Sequence, residues 1–240
     1  MRPPEQRGFT LIELLIVIAI IAIIAAIAIP GLLASQRAAN ERNASASLKS
    51  VASVQADFRS NDRDGNKIND QWTGDVAGLY GICPPDSSEM VKLLEISIAG
   101  ADPSALDQAA TPPAPTATTG MYTGQSYFAT RSPKAGYWFR AIRTDEEGAP
   151  YGIASGSSVG LTGAFFNGAK FGVECYPDSR HDGRNIFIVN EGNGIFKRAI
   201  IHTYVVPASN ATLEHLGGSN TVPTRFPTPL LLGSDYGKLD

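Results

Sequence analysis

Phe9-Thr10-Leu11-Ile12-Glu13-Leu14-Leu15-Ile16-Val17-Ile18-Ala19-Ile20-Ile21 is the stretch on which the reading of this 240-residue chain turns. From Leu14 to Ile29 no polar side chain occurs. At 1.5 Å per residue that run makes a helix of roughly 24 Å. Phe9 to Ile12 and Gly31 to Ala34 extend it into the range that crosses a bilayer. Arg2 and Arg7 precede the run and no comparable basic cluster follows it at once. Because cytoplasmic flanks carry the excess of Lys and Arg, the N-terminus is expected in the cytoplasm and the C-terminal bulk outside it.

Glu13 is the anomaly in this run. An ionised carboxylate within an apolar helix costs on the order of 3 kcal/mol or more unless something neutralises it. Standing alone it could be read as a side chain snorkelling to the headgroups from near the helix end. It follows Gly8-Phe9-Thr10-Leu11-Ile12, however, and this sequence with its unbroken apolar continuation resembles the processing site of type IV prepilins and of the related pseudopilins of type II secretion systems. The resemblance implies cleavage after Gly8 by a prepilin peptidase and methylation of Phe9 as the new N-terminus. It also implies a role for Glu13 in pairing with the N-terminal ammonium of a neighbouring subunit, since two groups costly in hydrocarbon become tolerable when they meet. Thr10 lies in the same assembly segment. Pro30, followed by Gly31, falls where the family often carries a helix-distorting proline; it is expected to kink or locally melt the helix, or to mark the membrane exit. Ala26-Ile27-Ala28 fits the small-x-small pattern of an ordinary secretory signal, but Glu13 early in the apolar region argues against that reading.

Beyond Pro30 the chain is rich in Ala and free of Pro and further Gly until past Ser60. Leu48, Val51, Ala52 and Phe58 recur at helical spacing, while Arg37, Arg42, Lys49 and Arg59 lie on other faces, so this half reads as an amphipathic helix suited to covering a sheet. Turn formers from Asn61 to Asp70 end it. Asp62, Asp64, Asn66 and Asp70 alternate in the manner of acidic calcium loops, where a hard cation gathers six to eight oxygens. With Gly65 in the sixth position of such a loop, Ser60 stands first and Gln71 last, so the opening and closing carboxylates are missing. A solvated Asx turn that caps the helix is the competing reading.

A short helix is expected over Ser87 to Ile98, then a surface loop around Pro112, Pro113 and Pro115. Strand-like runs follow at Tyr137–Ile142, Phe171–Tyr176, Ile186–Val189 and Ile195–Ile200, with Glu191-Gly192-Asn193-Gly194 as the turn of an antiparallel hairpin. Cys83 and Cys175 lack metal or redox spacing; they read either as one bridge closing a long loop or as two buried thiols. The formal charge of -3 supplies no basic field for nucleic acid. Gly156-Ser157-Ser158-Val159-Gly160 satisfies G-x-S-x-G but lies among glycines, without the strand and helix that a nucleophile elbow needs. His181, His202 and His215 form no metal spacing.

The expected fold is α+β, a long N-terminal helix packed on an antiparallel sheet in the manner of a pilin. Its parts are a leader over residues 1–8 and a helix over 9–60, of which 9–34 form the membrane or filament core. A loop region over 61–135, a sheet over 136–206, and a wrapping or partly disordered tail over 207–240 complete it. No catalytic residue is expected. The resemblance implies a subunit that polymerises with copies of itself or related chains. It further implies a prepilin peptidase, an assembly platform protein and a cytoplasmic ATPase as partners. The precursor is then expected in the bacterial inner membrane, with the head exported to the periplasm or cell surface. The alternative is an exported, membrane-anchored ligand-binding protein that never polymerises.

Overall fold

In the computed structural model, residues 9–65, 67–82, 91–103, 131–142, 144–145, 147–151, 166–179, 181–200, 226–227, 232–233 and 236–239 are described. One helix, α1 (Leu11–Ser60), runs for 50 residues, about 75 Å at the standard rise. Its sequence explains its length: Ala, Ile and Leu predominate, and the two poorest helix formers, Pro30 and Gly31, are adjacent, so one weak point interrupts an otherwise favourable run. It ends at Asn61, whose N–H donates to the Asp57 carbonyl at 3.1 Å. Asp62 (φ 44°) and Gly65 (φ 68°) then turn the chain through left-handed backbone.

The head is built on a five-stranded antiparallel sheet. Its strands are β2 (Tyr137–Ala141), β4 (Gly172–Pro177), β5 (Asn185–Asn190), β6 (Ile195–Ala199) and β7 (Gly237–Leu239), adjacent in that order. Phe139 sits opposite Cys175, Cys175 opposite Phe187, and Val189 opposite Ile195. This register puts Phe139, Val173, Cys175, Phe187 and Val189 on the face that receives Leu48, Val51, Ala52 and Phe58 of α1. The opposite face carries Tyr176, Ile186 and Ile188 and is covered by Tyr151, Phe226 and Tyr236. The turn expected between β5 and β6 is present, with Asn193 at φ 56° and its N–H donating to the Asn190 carbonyl at 2.9 Å.

A two-stranded sheet of β1 (Gln71–Trp72) and β3 (Phe166–Asn167), a 3-10 turn η1 (Ala77–Tyr80) and the single turn α2 (Ile96–Ala99) complete the described elements. Gln55, buried on α1, ties β1 to the helix: its amide donates to the Trp72 carbonyl at 2.5 Å and accepts the Trp72 N–H at 3.1 Å. Two buried carboxylates organise η1. Asp75 accepts from the Trp72 indole and the Gly78 N–H, and Asp102 from the N–H groups of Val76 and Ala77.

Two sequence expectations need correction. Within the expected helix Ser87–Ile98, residues 87–90 lie outside the described residues, and 91–95 are not helical. Val91 pairs as a bridge with Ile82 through two backbone bonds of 2.8 and 3.2 Å, so tertiary pairing overrides local propensity there. The sheet also does not close on its own run of strands, because its last strand, β7, comes from the tail.

Candidate processing and assembly site

The N-terminus of α1 is closed by a capping box. Thr10 stands at the N-cap with extended backbone (φ -83°, ψ 149°), and its Oγ1 accepts the Glu13 N–H at 3.3 Å. Glu13 Oε2 in turn accepts the Thr10 N–H at 2.9 Å and the Thr10 hydroxyl at 2.6 Å. Two of the unsatisfied donors at a helix start are thereby met by side chains three residues apart. The cost that made Glu13 anomalous in the sequence is therefore partly met within the chain itself. The signal was visible as Thr-x-x-Glu before an apolar run, although its meaning as a cap was not drawn from the sequence. Among the described residues Glu13 Oε1 makes no hydrogen bond, so one oxygen stays open to a further donor. Phe9 is 88% exposed immediately before the cap. Gly8 lies outside the described residues.

From Phe9 to Leu33 the helix buries almost nothing of itself. Every large exposed apolar side chain among the described residues lies in this stretch, except Ile68 and Ile96. The segment is long and apolar enough to cross a membrane. The helix continues through Pro30 and Gly31 without interruption, so the melted turn considered from the sequence is not built. Proline still withholds a hydrogen bond from the Ala26 carbonyl four residues back. One turn on, the Ser35 hydroxyl donates to the Gly31 carbonyl at 3.0 Å.

The head meets the helix just beyond the bare segment. Arg37 donates to the His181 carbonyl at 3.4 Å and Asn40 to the Asp182 carbonyl at 3.1 Å. Glu41 accepts the Arg184 N–H at 2.8 Å and the Asn185 amide at 2.7 Å. The β4–β5 connection thus clamps α1 within a turn of where its apolar run ends. His181 serves this clamp through its backbone, and nothing in its sequence context marked it for that.

The acidic loop is held by ordinary turn chemistry. Asp62 Oδ2 accepts the Lys67 N–H at 2.9 Å, and Arg63 pairs with Asp57 at 2.9 Å. Asp64 and Asp70 are buried, and Asn66 lies outside the described residues. Among the described residues no three His, Cys, Asp or Glu side chains gather closely enough to hold a metal ion. Cys175 is buried in β4 and has no disulfide partner among the described residues, and burial pushes its thiol well above the usual range; Cys83 lies outside the described residues. The G-x-S-x-G segment, His202 and His215 lie outside them as well.

Residues 4–29 match the family model described as the prokaryotic N-terminal methylation motif. The N-terminal segment carries the type IV prepilin/pseudopilin signature. No curated protein and no solved structure matches the chain. The prepilin signature thus covers the leader, the capping box and the apolar half of α1. It stops one residue before Pro30, so the head is read from its own structure. A long apolar helix on a five-stranded antiparallel sheet is pilin-like in architecture, and the bare helix fits the membrane anchoring of a prepilin-type precursor.

Proposed function

We propose that this chain is a non-enzymatic structural subunit of a type IV pilus-like filament or type II secretion pseudopilus. A prepilin peptidase cuts it after Gly8, Phe9 is methylated, and assembly moves Phe9–Ala34 from lipid into a bundle of neighbouring helices. The observation that carries this reading is the division of α1. One half, under the methylation motif, has almost no cover among the described residues, while the other half packs into the core of the head. Apolar surface of that extent needs a partner, lipid in the precursor and like helices in the filament.

In this reading the open oxygen of Glu13 accepts the Phe9 ammonium of the adjacent subunit while the other stays on Thr10. The charge pair forms as both groups leave the membrane, which fixes the register between subunits. Energy for extraction comes from a cytoplasmic ATPase acting through a platform protein in the membrane, and the chain itself supplies no catalytic group.

Intact-mass analysis of the protein from its native membrane tests the processing. A chain beginning at methylated Phe9 is expected; one that keeps Met1 leaves only an anchored exported protein. Glu13→Ala is expected to be cleaved normally and to build at most about a tenth of the wild-type filament, since losing the partner of a buried charge costs several kcal/mol. Normal filaments from that variant would remove the proposed pairing.

A further inference from the structure

On the sheet face away from α1 lies a carboxylate that neither packing nor the assembly helix requires. Glu174, in the middle of β4, is wholly buried. It lies opposite Arg140 of β2, which donates through Nε at 2.6 Å and forms a close ion pair with Glu174 Oε1. Glu174 Oε2 is buried and, among the described residues, has no hydrogen-bond partner. The surroundings are largely apolar or aromatic. Tyr176 lies on the same strand face, and Ile188 of β5 sits opposite Glu174 in register. Phe226 comes close above Gly172, where an added Cβ would stand 3.5 Å from its ring and 3.0 Å from that of Tyr151. Arg198 of β6 acts on the Glu174 charge and also stacks on the Tyr236 ring, 5.2 Å from its centre. Tyr236 leads directly into β7, the last strand of the sheet. The other acid in reach, Asp102, acts on Arg140 and Tyr176. Arg140 and Arg198 therefore face Glu174 as cations, Asp102 and Asp178 oppose them through Tyr176, and burial keeps the Tyr176 hydroxyl protonated in the neutral range.

We infer that docking of Tyr236 on this face, and with it of β7 along the edge of β6, is coupled to the protonation of Glu174, forming a pH-sensitive clasp in which a proton is taken up on closing. The direction follows from solvation. A closed clasp keeps water from a carboxylate whose Oε2 has no donor among the described residues, which favours the neutral acid, whereas an open clasp hydrates it and favours the anion. Opening therefore releases a proton and becomes easier as pH rises. Arg198 is the mechanical link, because it touches the electrostatics of Glu174 on one side and the ring of Tyr236 on the other. In a filament head, a clasp of this kind would make the exposed end of the sheet respond to the acidity outside the membrane.

Hydrogen exchange of the full chain in detergent micelles, corrected for intrinsic rates, tests it. Between about pH 5.5 and pH 8 the amides of Tyr236–Leu239 are expected to exchange at least about threefold faster at the alkaline end, one linked proton allowing at most about tenfold per pH unit. The amides of α1 from Ala44 to Phe58 should show no such trend. Glu174→Gln should abolish the dependence on β7 while keeping it docked. Equal exchange of β7 at both pH values in the wild type, or a trend that survives Glu174→Gln, would overturn the coupling. Should the Gln variant fail to fold, the infrared band of the protonated carboxylic acid in the wild type takes its place. Its loss in step with the rise in β7 exchange supports the clasp, and its absence at the acid end refutes it.

Discussion

The two halves of α1 share a helix and differ in everything around it. From Phe9 to Leu33 large side chains stand exposed on all sides, with Leu11 at 80% and Ile27 at 77%. From Ala44 to Phe58 the buried positions are 44, 47, 48, 51, 52, 55 and 58, a single stripe facing the sheet. Propensity does not distinguish the halves, for both are good helix. Pattern does: an apolar surface all round has no partner inside one chain, whereas a stripe finds one in β4, β5 and β6. The difference teaches that α1 has two separate duties, and that perturbing one half need not disturb the other.

The sharpest way to break that comparison is a matched pair of truncations. Phe58→Ala removes a ring that is 1% exposed in the main core and is expected to cost the head about 3–5 kcal/mol in urea unfolding. Ile20→Ala, on the bare half at 52% exposure, should leave head stability within about 0.5 kcal/mol. Its effect belongs in membrane retention or filament yield. If both variants unfold the head equally, the division of duties is wrong.

Within the head, pH sharpens the picture next. Burial pushes Glu174 up to about 7 from an ordinary 4.5, against the downward pull of Arg140 and Arg198. A raised carboxyl binds its proton more tightly folded than unfolded, so stability is greatest in acid and falls as pH rises from about 4.5 through 7. The Arg63 guanidinium lowers Asp57, Lys134 lowers Glu95, and backbone N–H groups with Lys170 lower Asp145. Those three contribute stability above their unfolded values and lose it only in stronger acid, so they are constant from about pH 5.5 to 8. Across that window the unfolding free energy is expected to drop by about 2 kcal/mol, and in Glu174→Gln the drop should vanish.

At the tip of the bare half the expected effects are smaller. Thr10→Ala deletes the side-chain cap and removes the two hydrogen bonds that the Thr10 hydroxyl makes with Glu13, leaving only the backbone bond from the Thr10 N–H. The first turn should lose about 1 kcal/mol of protection, read as faster exchange at the amides of 11–14. The head, many turns away, should melt unchanged.

Much of this was legible in the sequence, and the physical reasons are uneven. The bare helix, the stripe at Leu48, Val51, Ala52 and Phe58, and the strands β2, β4, β5 and β6 all follow from the period of apolar residues, which burial imposes directly. The pairing of Ile82 with Val91 did not show, because it depends on partners brought together in space. Neither did β7, whose Gly237-Lys238-Leu239 has no strand pattern of its own and is ordered by the edge of β6. At the candidate site, Gly8, Phe9 and Glu13 were legible as a motif. The hydrogen bonds by which Thr10 holds Glu13 belong to local geometry. The pairing of Glu174 with Arg140 did not show either, because it depends on strand register and on the cluster of Tyr151, Tyr176, Phe226 and Tyr236 assembled over that face.

The acidic turn after Ser60 is where the weakest effect is expected and where it is informative. Arg63 and Asp57 meet at 2.9 Å with more than a third of each side chain exposed, so water and salt screen most of their attraction. Asp57→Ala should cost about 0.5 kcal/mol or less at low salt, and the cost should fade in about 1 M sodium chloride, where the Debye length is about 3 Å. A larger and salt-independent loss would mean that Asp57 acts through the end of α1 itself. Its carboxylate, which accepts the Asn61 amide at 2.6 Å, would then be the working part of the cap, since the backbone carbonyl that accepts the Asn61 N–H is kept in the variant. The buried half of the helix would in that case be anchored at its far end by the same kind of side-chain capping that closes the bare half at Thr10.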